Sequence, residues 1–188
     1  MSLSSSNLIA VVGKKGAGKD TLSEVLLARG YANVKFAGGL KAMLATLLAY
    51  QGADEATIER MIEGDLKEVP TPLLQGKTPR HAMQTLGNEW GRELIGKDLW
   101  VDAMVKRLDN CPKAVVTDCR YPNELELLRQ RGASAVRVRA SDEKSDDVHE
   151  SEAHIDSLAV DAEFLNDKSE GVHWSRAQFE RFLEETFN

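Results

Sequence analysis

Leu8-Ile9-Ala10-Val11-Val12 is a nearly continuous apolar run ended by Gly13, the pattern of a central parallel strand covered on both faces. The spacing then becomes helical from Asp20 to Arg29, with Leu22, Val25 and Leu26 on one side and Gly30 as the stop. Val34-Lys35-Phe36 predicts a short second strand. After Gly38-Gly39, the stretch from Leu40 to Tyr50 predicts a helix whose Leu40, Met43, Leu44, Leu47 and Leu48 form an apolar stripe facing a core.

Periodicity fades from Gln51 to Pro79, a region punctuated by Gly64, Pro70, Pro72, Gly76 and Pro79, so an irregular excursion with one short helix around Glu55 to Ile62 is expected. Pro79 is suited to opening the next helix, because its missing N–H is no loss in the first turn. In that helix, Arg80 to about Leu94, residues Ala82, Leu86, Trp90 and Leu94 recur at i+4 and predict one buried face. A further helix is expected from Asp98 to Leu108.

Lys113 to Asp118 is a second strong strand candidate, with an acid at its carboxyl end. Glu124 to Arg131 predicts a helix stopped by Gly132, and Ala135 to Arg139 a strand. The charged segment Ser141 to Glu152 lacks apolar periodicity and reads as an exposed loop or lid. Glu163-Phe164-Leu165-Asn166 is a weaker strand candidate. Ser175 and Gln178 suggest a capping box before a last helix bearing Phe179, Phe182, Leu183 and Phe187. Strands alternating with helices imply a three-layer α/β domain with a mostly parallel sheet.

Composition narrows the function classes. At 188 residues and 42% hydrophobic, the chain can bury a sizeable core in one domain. A formal charge of −6 argues against broad binding to nucleic acid or to an anionic membrane, which wants net positive charge. Cys111 and Cys119 make no disulfide framework, so a reducing cytoplasm is expected. Met1 to Ser6 read as a frayed polar tail without an export pattern, and no apolar run approaches the ~20 residues needed to span a bilayer.

The strongest chemical signal is Gly13-Lys14-Lys15-Gly16-Ala17-Gly18-Lys19, a G-x-x-x-x-G-K sequence after a strand and before a helix. Its glycines let successive N–H groups face phosphate oxygens, the helix N-terminus adds a favourable dipole, and Lys19 supplies a mobile positive charge. A tight glycine turn with solvated lysines is the plainer alternative, disfavoured because spacing, lysine and context coincide. The next residue is an acid where a hydroxyl is usual. Asp20 can stabilise the helix dipole, or can hold magnesium directly or through water as a hard oxygen ligand. Thr21 can supplement it, although one helical step turns its side chain by ~100° away.

Asp118-Cys119-Arg120 is the second constellation. Parallel α/β sheets bind ligands beyond the carboxyl ends of their strands, so Asp118 and the glycine loop can converge. Asp118 is a candidate for magnesium or its waters, or a strand-end cap; Arg120 is a candidate fork for a phosphate, or a surface ion pair. Cys119 has no evident histidine partner and is expected to fill space. Arg80 and Gln84, at i and i+4, can share a face that offers an arginine to phosphate and an amide to a base or sugar, with plain solvation equally open. Lys41 carries the same ambiguity. His149 and His154 lack the spacing of a closed zinc site, while Arg139 and Lys144 are available to meet phosphate when a charged loop closes.

Taken together, these segments resemble the deoxynucleoside monophosphate kinases of tailed bacteriophages, a branch of the P-loop nucleotide kinases. The resemblance runs through Gly13 to Thr21, Phe36 to Leu44, Arg80 to Gly87, Trp100-Val101 and Val116 to Arg120. It continues through Glu124, Arg131-Gly132-Ala133, Lys144 to His149, Glu152, and Phe164-Leu165-Asn166-Asp167. It implies a nucleoside-monophosphate-kinase-like P-loop fold with a five-stranded, mostly parallel sheet. A single domain would carry a helical monophosphate-binding excursion at about 37–95 and a lid at about 140–155.

It further implies transfer of a phosphoryl group from ATP, with Mg2+, to a deoxynucleoside 5′-monophosphate in the cytoplasm of a phage-infected bacterium. Gly13 to Lys19 would meet the donor phosphates, Asp20 and Asp118 the magnesium shell, and Arg80 and Arg120 the acceptor phosphate. Lys41 and Gln84 would line the monophosphate pocket, Arg139 and Lys144 would belong near a closing lid, and Asn166 would bind the donor from the strand and turn beside its base. No stable nucleic-acid or membrane partner is expected, and monomer and homodimer stay open. The competing readings are a P-loop kinase of another small metabolite, such as dephospho-coenzyme A, and an ATP-binding interaction protein without kinase activity.

Overall fold

The computed structural model describes residues 7–141 and 154–187. The expected terminal tail at Met1 to Ser6, most of the expected lid, and with it Lys144 and His149, lie outside the described residues. Two compact units are distinguished, one made of Met1–Lys35 and Val105–Asn188 and the other of Phe36–Met104.

The first unit is built on five parallel strands: β1 (Leu8–Val12), β2 (Ala32–Asn33), β3 (Ala114–Val116), β4 (Ser134–Ala140) and β5 (Ala162–Asn166). Their order is β2-β3-β1-β4-β5, with Ile9 opposite both Val115 and Ser134, and Ala140 opposite Asn166. All five residues of β1 are buried, as the unbroken apolar run predicts for a strand covered on both faces. Among the described residues the α-helices lying wholly in this unit are α1 (Lys19–Ala28), α6 (Pro122–Gln130) and α7 (Val172–Phe187).

Helices α1 and α7 cover one face of the sheet. Leu22 and Leu26 of α1 meet Phe179, Leu183 and Phe187 of α7 in a core shared with Ile9, Val11, Val115, Val136 and Val138. Phe164 of β5 stands edge-on to Phe179 at 5.1 Å, a favourable aromatic geometry. Burying a side chain such as Leu183 or Phe179 is worth roughly 1.5–3 kcal/mol, which is why α7 holds its place against the sheet. Helix α6, with Leu125 and Leu128 buried, belongs to the opposite layer. The result is a three-layer α/β fold.

The second unit contains α2 (Gly38–Tyr50), α3 (Glu55–Ile62), short 3-10 turns at Asp65–Glu68 and Pro72–Leu74, α4 (Pro79–Thr85) and a π-helical stretch, Leu86–Ile95. It ends within α5 (Leu99–Leu108). Leu40, Leu44, Leu48, Met61, Ile62, Met83 and Trp100 form its core. Asp54 accepts the Thr57 N–H at 2.9 Å and Thr78 the His81 N–H at 3.1 Å, so both polar side chains cap the helices they precede.

Four local expectations need correction. Trp90 and Leu94 are not on a buried face but 36% and 75% exposed. The cause is the π-helix, whose bonds span five residues, as from the Gly96 N–H to the Gly91 carbonyl at 2.9 Å. The extra residue per turn rotates an i+4 row off the face, and the inward position falls to Gly91, where an added Cβ would stand 2.4 Å from Trp100 Nε1. On α2 only Leu40, Leu44 and Leu48 are buried; Met43 and Leu47 are 41% and 47% exposed, because the buried row is a narrow i+4 line.

The second strand is Ala32–Asn33 rather than Val34 to Phe36, although the Val34 N–H still reaches the Val115 carbonyl at 3.0 Å. Ser175 does not begin a helix. Helix α7 starts one turn earlier, and the Ser175 hydroxyl donates to the Asp167 carbonyl at 3.2 Å, tying the helix back to the end of β5.

Candidate active site

β1 feeds directly into the glycine loop. Gly13, at φ +153°, lies so close to β4 that an added Cβ would come within 2.3 Å of the Val138 carbonyl oxygen. The loop closes on itself through the Ala17 N–H and the Lys14 carbonyl at 3.2 Å. Lys19, the first residue of α1, turns its ammonium back to the Gly13 and Lys14 carbonyls, the latter at 2.8 Å. No side chain caps α1 at Gly18, and a helix N-terminus of this kind is suited to an anion.

Asp20 projects from the first turn of α1, with its side chain 70% exposed. Its Oδ1 receives two donors, the Thr117 hydroxyl at 3.0 Å and the Lys35 ammonium at 3.0 Å. Burial penalises the carboxylate, but the Lys35 bond and charge, the Thr117 bond and the charge on Lys19 overcome that penalty and hold the Asp20 carboxyl below its usual range. Asp20 is therefore anionic at neutral pH and already carries a cation. Thr21, one step along, is half-buried and gives its carbonyl to Arg176 Nε at 3.1 Å.

Thr117 directly follows β3, and Asp118 comes next, half-buried at the carboxyl edge of the sheet. The turn from Asp118 to Tyr121 is held from inside by Glu124, only 3% exposed, whose Oε2 accepts the Arg120 N–H at 2.8 Å and the Tyr121 N–H at 3.2 Å. This grip fixes the backbone that presents Arg120. Cys119 is buried as expected, and that burial, reinforced by the charges of Glu124 and Asp118, pushes its thiol well up.

At the end of β5, Asn166 is 3% exposed and its Nδ2 donates to the Ala17 carbonyl at 2.9 Å. The same atom would stand 2.4 Å from a Cβ on Gly18, so the amide is fitted against the glycine loop. Asn166 thus touches the loop's backbone from the end of β5.

Lys14 pairs with Asp156 at 2.8 Å, and Arg139 meets Asp156 and Glu163, each at 3.3 Å. The Lys14 hydrogen bond, aided by the charges of Lys14, Arg139 and Arg137 and opposed by burial, holds the Asp156 carboxyl below its usual range. Buried Arg137 donates to the Ile155 carbonyl at 3.2 Å and pairs with Glu163, anchoring the short 3-10 turn Ile155–Ser157. Lys15 is exposed on the loop's outer side.

The remaining expected site residues belong to the second unit. Lys41, on α2, pairs with Glu63 at 2.6 Å, and Arg80, on α4, pairs with Glu68. Gln84 is half-buried one turn after Arg80. Both cations thus hold carboxylates drawn from the irregular excursion.

In the first unit, sheet topology brings the loop, Asp20, Thr117, Asp118 and Asn166 to one edge, outside the strand carboxyl ends. Two residues bonded to Asp20, Thr117 and Lys35, have no role that the sequence pattern assigns. Thr117 stood unremarked beside Asp118, and Lys35 was absorbed into a presumed strand, although a lone lysine between Val34 and Phe36 was a usable signal. Among the described residues no group of three or more His, Cys, Asp and Glu gathers to hold a metal. The oxygen donors of Asp20 and Asp118 fit a magnesium-type ion, which commonly takes one or two carboxylates, waters and phosphate oxygens rather than a protein cage. No helix among the described residues is long and apolar enough to cross a membrane.

The family profile described as deoxynucleotide monophosphate kinase matches residues 75–170, just over half of the chain. A protein of Acanthamoeba polyphaga mimivirus, itself predicted to be a deoxynucleotide monophosphate kinase, is 28% identical over 179 residues, covering 86% of this chain and 89% of that protein. The deoxynucleoside-5′-monophosphate kinase of Escherichia phage T5 is 33% identical over 107 residues, 51% of this chain and 42% of that protein. A solved dephospho-CoA kinase from Campylobacter jejuni aligns over 96% of this chain and 97% of its own at 14% identity, with a TM-score of 0.43. The chain belongs to the deoxynucleotide monophosphate kinase family, and is a P-loop kinase acting on a small phosphorylated metabolite.

Proposed function

We propose that the protein transfers the terminal phosphoryl group of ATP to a deoxynucleoside 5′-monophosphate, yielding the diphosphate for DNA synthesis in the cytoplasm of an infected cell. The observation that carries this reading is the junction of the glycine loop with Asp20 and Thr117 at the sheet's carboxyl edge, in a chain of this family. Lys19 and the N–H groups of Gly13 to Gly18 would bind the donor phosphates. Asp20 and Asp118 would hold magnesium, which when bound neutralises charge on the transferring group. Glu124 fixes the turn from which Arg120 would reach the acceptor phosphate.

Phe36–Met104 would supply the monophosphate side, with Arg80 on phosphate and Lys41 and Gln84 beside it. Arg139 and the lid segment at about 140–155, Lys144 included, would shut out water during transfer. No side-chain base is needed, because the acceptor phosphate is largely ionised near neutral pH. Positioning and charge neutralisation carry the reaction.

The test is incubation with Mg-ATP and each of the four common deoxynucleoside monophosphates, with modified pyrimidine monophosphates and dephospho-coenzyme A in parallel. Diphosphate formed from one or more deoxynucleoside monophosphates is the expected result. Measurable ATP binding with no deoxynucleoside monophosphate accepted would overturn the proposal, and turnover of dephospho-coenzyme A alone would replace it with that activity.

A further inference from the structure

Three separate parts of the sheet edge meet at one carboxylate oxygen. Asp20 comes from the first turn of α1, Thr117 from just beyond β3, and Lys35 from just beyond β2. The Lys35 side chain is 23% exposed and Asp20 70%, so the lysine stem is partly buried while the carboxylate faces outward. β2 stops at Asn33, and Lys35 follows Val34, whose N–H makes the last bond to β3, at the Val115 carbonyl.

An anionic side chain beside a phosphate-binding loop repels its ligand unless a cation neutralises it. Lys35 does so here. We infer that Lys35 is a resident counter-cation for Asp20, holding the carboxylate poised and neutralised until a divalent cation, arriving with nucleotide, displaces the ammonium from Oδ1. Thr117 donates a neutral hydroxyl to the same oxygen and remains in place as the cations exchange. The inference rests on the reading of Asp20 as a magnesium-shell residue and adds a competitor to it. The exchange is ionic, with no covalent bond made or broken.

The experiment measures binding of a fluorescent ATP analogue while magnesium chloride is titrated, in the full chain and in Lys35→Met, Lys35→Gln and Asp20→Asn. The readout is the magnesium concentration at half-maximal tightening of nucleotide binding, and requires no turnover. Loss of the competing ammonium is expected to lower that midpoint in both Lys35 variants by roughly two- to five-fold, the range corresponding to an exposed ion pair. Asp20→Asn is expected to raise it. An unchanged or raised midpoint in the Lys35 variants, with the Asp20→Asn increase intact, would overturn the exchange and leave an ordinary surface ion pair. If Asp20→Asn leaves the midpoint at the wild-type value, the magnesium assignment of Asp20 fails and the exchange fails with it.

Discussion

The Thr117 hydroxyl donates to Asp20 Oδ1 at 3.0 Å across 97 positions of sequence, joining the residue that follows β3 to the first turn of α1. An acid on the phosphate loop and a hydroxyl just beyond the strand form a bonded pair at the place where the proposed reaction needs an oriented oxygen ligand.

Removing that hydroxyl tests the pair. Thr117→Val keeps the shape but removes the donor, and a hydrogen bond to a charged acceptor is worth about 1.5–3 kcal/mol, so kcat should fall roughly ten- to hundred-fold if the orientation matters fully at the transition state. Thr117→Ser should restore most of the rate, which packing alone would not do. Steady-state kinetics of both variants decide the matter, and equal rates in Thr117→Val and wild type would contradict the role.

Asn166 and Gly18 should behave as a coupled pair. Gly18→Ala puts a Cβ 2.4 Å from Asn166 Nδ2 at φ +95°, so it should be destabilising by about 1–3 kcal/mol and should weaken nucleotide binding. Asn166→Ala alone loses the bond to the Ala17 carbonyl, costing about 1 kcal/mol. Denaturant unfolding of the double variant should show a smaller loss than the two single losses added, since deleting the amide relieves the clash. Strict additivity would show that the two residues do not press on one another.

Glu68 and Glu63 occupy Arg80 and Lys41, the cations proposed for the acceptor. If those carboxylates compete with the monophosphate, Glu68→Gln should lower the acceptor KM by roughly two- to five-fold, as for an exposed ion pair, with kcat little changed. A raised KM would mean that Glu68 positions Arg80 instead.

The two thiols should differ in reactivity. Cys119 is 2% exposed with its thiol pushed up by burial and nearby acids, whereas Cys111 is half-buried. A disulfide reagent at pH 8 should therefore modify Cys111 alone in the folded protein and both in denaturant. Because the folded state holds the Cys119 proton more tightly than the unfolded chain, its contribution to stability is present below the ordinary thiol pKa of about 8.5 and declines above it. Cys119→Ala should flatten the loss of stability between neutral and alkaline pH; an unchanged slope would refute this.

How far the sequence could be read depended on the range of the forces involved. Strand β1, the glycine loop and α1 follow from neighbouring residues: an apolar run, backbone turns that glycine tolerates, and a helical period that begins at Lys19. The buried row Leu40, Leu44 and Leu48 is likewise legible, since one helical period governs it. Trp90 and Leu94 were misplaced because a single change of helical period, from α to π, alters the phase of every later position.

What the sequence alone determined, then, was a phosphate loop between a buried strand and a helix, within an alternating α/β pattern, with acids and arginines set after the strands. Tertiary structure decided which of those groups meet. It placed Lys35 and Thr117 on the same oxygen of Asp20, and set the Asn166 amide on a loop carbonyl 149 positions away. Local propensity carries no record of such encounters, because they arise only when parallel pairing of β3, β1, β4 and β5 brings their carboxyl ends to a common edge.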